Sequence, residues 1–152
     1  MPDLVTHFSV AYILVRWTKV LKYSATFYLG TILPDILTRS FFIPFPKTYW
    51  VVSPFHTPIP LFFTCWLIAY LFEERLRKGI LISLVTGAYL HLLIDFFQKY
   101  IVPEHLLLFP FSWKTFGFGL FWPEESLYAI PLLLLLILIT EFISMKYRVR
   151  GN

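Results

Sequence analysis

Charge is scarce in this chain. Lys, Arg, Asp and Glu make up 14% of its 152 residues, against about a quarter in soluble domains. Hydrophobic residues reach 58% and aromatics 20%, so an ordinary soluble domain is excluded and the chain reads as membrane-embedded. Cysteine is nearly absent as well. Cys65 alone excludes an internal disulfide and leaves the redox compartment undefined. No Gly-x-Ser-x-Gly elbow surrounds Ser9, Ser53 or Ser112, which argues against a serine nucleophile. A secretory signal is missing: residues 1–7 carry Asp3 and no Lys or Arg. Residues 4–21 are punctuated by Thr6, His7, Ser9 and Arg16, with no small-residue cleavage site. The N-terminus is therefore expected to be retained. There is no internal repeat or low-complexity linker, and the length fits one domain over residues 1–152. The net charge of +4 comes from basic residues that flank apolar segments. They form no stripe, which argues against nucleic acid as a partner.

What is present in abundance is apolar sequence in five stretches, residues 4–21, 23–37, 59–72, 79–102 and 127–143. All read as helices, so the expected fold is all-α, a membrane bundle of about five helices. Crossing ~30 Å of hydrocarbon takes about 20 helical residues, so the second and third stretches are short unless tilted or partly inserted. Tyr49, Trp50, Trp113, Trp122, Tyr128 and Tyr147 fall at or between segment ends, where interfacial aromatics collect. Residues 103–126 are rich in aromatics and proline and too irregular to cross. They read as a segment lying on the membrane or lidding a cavity. Leu132 to Leu136 is a plain leucine run, read as a lipid-facing anchor.

Against this background a few polar residues need an account. His91 and Asp95 stand four apart within residues 79–102, on one helix face where imidazole and carboxylate converge. Gly87 and Ser83 continue that face, which allows another helix to approach closely. His7 opens the first stretch, with Thr6 or Asp3 able to cap it. Asp35 ends the second in Leu33-Pro34-Asp35, where proline marks a boundary. His56 precedes the third, with Thr57 suited to the N-cap and Pro58 to the first turn. Threading the chain back and forth brings all five to one side. Counting ~1.5 Å per residue from Gly79 recesses His91 and Asp95 by roughly 6 to 12 Å below that interface. Three imidazoles and two carboxylates at one depth form a candidate metal site. Nitrogen and oxygen ligands without thiolate suit Zn²⁺ first, and also Mn²⁺ or Fe²⁺. The plain alternatives are a buried ion pair or satisfied core histidine for His91 and Asp95, helix-terminal polar groups for His7 and Asp35, and a loop residue for His56. His105, beside Glu104, reads as a loop residue.

In order, Thr6-His7, Leu33-Pro34-Asp35, His56-Thr57, His91-Leu92-Leu93-Ile94-Asp95 and Leu108-Phe109-Pro110 resemble the membrane-bound metal-dependent hydrolases, also described as inner-membrane-associated hydrolases. The resemblance covers about the first 112 residues. Two positions depart from the pattern. Leu37 stands where many members carry a second aspartate, and Ser53-Pro54-Phe55-His56 replaces an Arg-Gly-x-Thr-His type segment. The ligand order also looks like that of the bacterial zinc-dependent phospholipases C. That resemblance implies one metal among Asp35, His56, His91 and Asp95, with Asp95 bridging to a second held by His7. Glu141 has no histidine three or four residues before it, so a third metal is not expected.

The implied activity is hydrolysis of a lipid-associated ester or phosphoester at the cytoplasmic (inner) membrane. A metal-activated water is the nucleophile, His91 and Asp95 are the catalytic residues, and lipid is the partner and substrate source. Glu104, Glu124 and Glu125 are positional candidates for proton transfer, and Arg39, Lys47 and Lys114 for phosphate contact, each set against ordinary solvated charge. The competing class is a non-catalytic membrane protein, either a structural subunit or a small transporter, because intramembrane ionisable residues also mark transport paths. Arg16, Lys19, Lys22, Arg75, Arg77, Lys78, Lys146, Arg148 and Arg150 fall at the end away from the cluster. Only Arg39, Lys47, Lys99 and Lys114 fall at its own end. Basic residues favour the cytoplasm, so the site is expected to face the extracytoplasmic side.

Overall fold

The computed structural model describes residues 2–18, 22–99 and 106–150. Among these the chain is all-helical. The α-helices are α1 (Pro2–Thr18), α2 (Ser24–Phe42), α3 (Tyr49–Val52), α4 (Pro58–Tyr70), α5 (Glu74–Phe96) and α6 (Ser126–Arg150), with 3₁₀ turns at Pro46–Thr48, Ser53–His56 and Pro123–Glu125. Each apolar stretch of the sequence holds one of the longer helices. Two are long and apolar enough to cross a membrane by themselves, Glu74–Phe96 and Ser126–Lys146. A third span exists if Pro46–His56 and Pro58–Tyr70 count as one, bent by 78° at the break. Leu132, Leu134, Leu135, Leu138 and Phe142 of α6 remain exposed, a continuous apolar surface of the kind lipid covers.

α5 is central. Leu33 of α2, Leu61, Cys65 and Ala69 of α4, and Ile80, Leu84, Ala88 and Leu92 of α5 form one buried core. The α2–α5 contact is a backbone contact, made possible by small residues. A Cβ on Gly30 would run into the Leu84 carbonyl, and one on Gly87 would run into the Phe27 carbonyl. Ser83 Oγ donates to Tyr23 O at 2.7 Å. Gly87 and Ser83 thus do what the sequence pattern led us to expect: they admit another helix, which is α2.

The second stretch does not end at Pro34. α2 runs through Pro34 to Phe42, five residues beyond the expected stretch of 23–37. Proline removes one N–H bond from a helix interior, but membrane helices tolerate it where neighbouring groups compensate. Here packing of α2 on α5 carries the helix through, and beyond the proline Thr38 Oγ1 donates to Pro34 O at 2.8 Å and Arg39 pairs with Asp35 across one turn. Likewise α1 starts at Pro2, so His7 lies inside the helix and not at a capped start. Thr57 takes the N-cap position of α4 in an extended conformation with Pro58 after it. Its hydroxyl, though, donates back to Pro54 O at 2.6 Å and does not cap the helix.

α1 and α6 are tied by polar groups. Arg16 Nε and a terminal nitrogen donate to Glu141 Oε1 and Oε2 at 2.6 and 2.5 Å, Tyr12 OH donates to Oε1 at 2.5 Å, and Trp17 Nε1 donates to Thr140 Oγ1 at 3.1 Å. A paired bidentate carboxylate is the arrangement that lets charge sit between apolar helices. Because these contacts join the C-terminal parts of both helices, and Pro123–Glu125 also touches α1, α1 and α6 run in the same direction.

Candidate metal centre

Four separate pieces of chain deliver five side chains to one place. His7 comes from the second turn of α1, Asp35 from the middle of α2, His56 from the 3₁₀ turn before α4, and His91 and Asp95 from the last two turns of α5. The bend at Thr57 is what aims His56 inward. Pro54 and Pro58 bracket it, and Tyr89 OH holds Pro58 O at 3.2 Å, fastening the turn to α5.

Asp95 is the hub. His7 Nε2 lies 3.0 Å from Oδ1, while His56 Nε2 and His91 Nε2 lie 2.8 and 3.2 Å from Oδ2. His91 Nε2 is also 3.6 Å from Asp35 Oδ1. The His7 and His91 rings stack with centroids 4.1 Å apart, and His56 meets His91 edge-on at 5.1 Å. His7, His91 and Asp95 are fully buried, whereas the His56 side chain keeps 15% exposure. The cluster therefore has one side turned to the outside, at His56.

Short separations do not by themselves make hydrogen bonds. His56 Nε2 and Asp95 Oδ2 do form one, the imidazole N–H donating. Both ring nitrogens of His91, Oδ1 of Asp95 and Oδ1 of Asp35 are buried without one. Asp35 Oδ1 has the Arg39 guanidinium at 2.7 Å and Asp95 Oδ1 the His7 ring at 3.0 Å, yet polar atoms buried without a hydrogen bond cost about 1 to 3 kcal/mol each, and native proteins rarely collect several at one point. A cation facing one ring nitrogen of His91 and the carboxylate oxygens would offset part of that cost. Two groups, His7–His91–Asp95 and Asp35–His56–His91, each bring one donor atom per residue within 4.8 Å of the others. Ligands ~2.0–2.2 Å from a tetrahedral ion stand roughly 3.3–3.6 Å apart, close to the separations seen here. The residues present therefore fit a divalent metal, and these buried His and Asp groups could hold one.

The remaining candidates fare differently. Glu124, Lys47 and Lys114 are exposed. Glu125 is also exposed and accepts the Trp122 N–H at 2.8 Å. His105 and Glu104 lie outside the described residues. Arg39 is no solvated charge: its Nε sits 2.7 Å from Asp35 Oδ1 with 18% of the side chain exposed. The signal in the sequence was its i,i+4 spacing from Asp35, which is the same relation that drew attention to His91 and Asp95.

α5 begins at Glu74 and ends at Phe96, so His91 and Asp95 stand at its C-terminal end. The chain beyond α5 folds back over that end. Phe118 N and Leu120 N donate to Phe96 O and Phe97 O at 3.0 and 2.8 Å, and Lys99 N donates to Phe121 O at 2.8 Å. The first two bonds satisfy carbonyls that a helix terminus leaves open. They also place an aromatic segment, with Phe118 packed on Phe96 and Phe97, against the C-terminal end of α5. Compared with known proteins, the chain matches no family model, no curated protein and no solved structure.

Proposed function

We propose that the protein is a membrane-bound metal-dependent hydrolase acting on a lipid-associated ester or phosphoester, as its motif order suggests. The observation that carries this reading is the convergence of His7, Asp35, His56, His91 and Asp95 from four chain segments, with buried donor atoms left unbonded. Asp35, His56, His91 and Asp95 would hold one divalent ion, Zn²⁺ first by donor type, and Asp95 and His7 would serve a second. When bound, the metal supplies Lewis-acid chemistry, acidifying water and drawing charge from the ester under attack. Asp95 and His91 are the catalytic residues of this reading. The three imidazoles surround the Asp95 carboxylate and orient it, His7 at Oδ1 and His56 and His91 at Oδ2. His56, at the exposed side, lies where substrate enters.

Purified protein never exposed to chelator is expected to hydrolyse lipid esters or phosphoesters, to stop on chelation, and to resume with Zn²⁺ or Mn²⁺. Asp95→Asn, close in shape, is expected to fold and to lose turnover. An active protein indifferent to both treatments would sink the mechanism.

The site is proposed to open on the extracytoplasmic side. Along α5, Arg75, Arg77 and Lys78 stand at one end and His91 and Asp95 at the other. The Arg16–Glu141 tie puts the C-terminal part of α6 at the end of α1 away from His7. The basic excess thus gathers opposite the cluster, although Arg16 itself is neutralised by Glu141. An alkaline phosphatase fused after Asn152 is expected to be inactive and a cytoplasmic reporter active; the opposite pair of results reverses the orientation.

A second reading has one specific observation in its favour. The 78° break between Pro46–His56 and Pro58–Tyr70 falls at a candidate ligand, and broken spans that present ion ligands are a transporter device. Metal uptake into proteoliposomes, without any hydrolysis, would select it.

A further inference from the structure

The connection between α2 and α4 and the aromatic segment after α5 enclose a cavity that the metal centre does not use. Its volume is about 250 Å³, and it is lined by Tyr49, Trp50, Ser53, Leu106, Trp113 and Thr115. Leu106 is buried, whereas Trp50 and Trp113 are exposed, so the cavity is closed at the leucine and open beside the two indoles. Ser53 begins the 3₁₀ turn that His56 ends. Side chains three apart in such a turn lie over one another, which sets the cavity one turn away from the exposed side of the cluster.

The lining decides what fits. Its aromatic walls are braced: Tyr49 and Trp50 meet at 80° with centroids 5.3 Å apart, Phe42 packs edge-on against Tyr49, and Phe109 packs against Trp113 at 78°. Flat faces thus stand ready at a corner before any ligand arrives. The Ser53 and Thr115 hydroxyls hydrogen-bond no other described residue, and each can donate and accept. A purely apolar ligand would leave them unpaired. None of the six lining residues is charged, so an anion would meet no guanidinium or ammonium there and a cation no carboxylate. Lys114, between two lining residues, adds charge of the wrong sign for a cation. Drug-sized ligands fill roughly 300–1,000 Å³, and this smaller space suits a single ring. A carbon ring bearing hydroxyls meets every condition: its C–H faces pack on the aromatic walls, its edges hydrogen-bond, and it carries no charge. We propose that the cavity binds an uncharged polyhydroxylated ring, a sugar or a cyclitol, and that the centre beside it acts on lipids with such a headgroup. The second half rests on the hydrolase reading above, and the first half stands without it.

The test uses full-length protein in phosphatidylcholine nanodiscs and saturation-transfer NMR, which reads weak binding of small molecules without turnover. Methyl β-glucoside and myo-inositol are the neutral rings, tetramethylammonium is the cation, and cyclohexanol is the apolar ring; signals from protein-free nanodiscs are subtracted. Wild-type protein is expected to transfer saturation to the C–H protons of at least one neutral ring, saturably. Trp113→Ala is expected to weaken that binding roughly tenfold. Thr115→Val, which keeps the shape and removes the hydroxyl, is expected to weaken it about fivefold. Wild-type protein that binds neither neutral ring overturns the proposal, and so does tighter binding of tetramethylammonium. Cyclohexanol bound as tightly as the sugar would show a merely apolar cavity, and ring binding unchanged in Thr115→Val would place the ring elsewhere. Hydrolysis of glucosyl lipids is assayed separately. Ring binding without any metal-dependent hydrolysis removes the hydrolase reading and leaves the ring site standing, whereas metal-dependent lipid hydrolysis without ring binding does the reverse.

Discussion

His91→Ala is expected to yield protein without stoichiometric metal. His91 belongs to both groups of candidate ligands, so its loss breaks each of them, whereas His56→Ala breaks only one. Even partners that merely orient a ligand are worth about 10–100-fold in metal affinity. Removal of the shared imidazole is therefore expected to weaken binding by at least about 100-fold. Elemental analysis after gel filtration measures this directly. The effect extends to stability, because a ligand bound only by the folded state stabilises it by about 4 kcal/mol at a thousandfold excess over its dissociation constant. Chelation should accordingly lower the melting temperature of wild-type protein and leave that of His91→Ala unchanged. A His91→Ala protein that retains one equivalent of metal would remove His91 from the centre.

Gly87→Ala is expected to have the next largest effect, although it touches no candidate ligand. A methyl group there meets the Phe27 carbonyl oxygen, a backbone atom that cannot swing aside. Overpacking of this kind costs about 1 to 3 kcal/mol, occasionally more, and relief requires α2 to move off α5. α2 carries Asp35 and Arg39, and α5 carries His91 and Asp95, so the shift would also pull the cluster apart. Both melting temperature and metal content should fall together. Ser83→Ala serves as the comparison: it loses one hydrogen bond to Tyr23 O, worth about 0.5 to 1.5 kcal/mol, and leaves the helix spacing alone. If Gly87→Ala matches wild type in both readings, the two helices are not locked in the manner described.

Much of this was legible before any fold was known. Helical character and approximate position followed from apolar run length, because a backbone in hydrocarbon must satisfy its own hydrogen bonds and a helix does so locally. The pairing of His91 with Asp95, and the close approach at Gly87 and Ser83, followed from i,i+4 periodicity on a single helix. His7, Asp35 and His56 stood out because ionisable groups are rare in so apolar a chain. Helix ends were less legible. Pro34 reads as a breaker from local propensity alone, yet α2 continues to Phe42 because packing against α5, and bonds from Thr38 and Arg39, outweigh one lost backbone donor. The end of α5 at Phe96 was hidden for a related reason: residues 97–102 are apolar enough to continue a helix, and the partners that close its end, Phe118 and Leu120, lie more than twenty residues away.

Composition and spacing alone thus determined that the chain is helical, suited to a membrane, and furnished with five ligand-type side chains in a definite order. Those are properties of single segments, set by local hydrogen bonding and by the cost of polar groups in apolar surroundings. Only the tertiary structure decided that Asp95 is the hub, that His91 is shared between two ligand groups, and that Arg39 turns toward Asp35 instead of solvent. Each of these depends on distances between helices. Such distances follow from the bend after His56 and from two glycines that let α2 and α5 touch through their backbones, contacts whose partners are distant in the chain and carry no periodic signal in it.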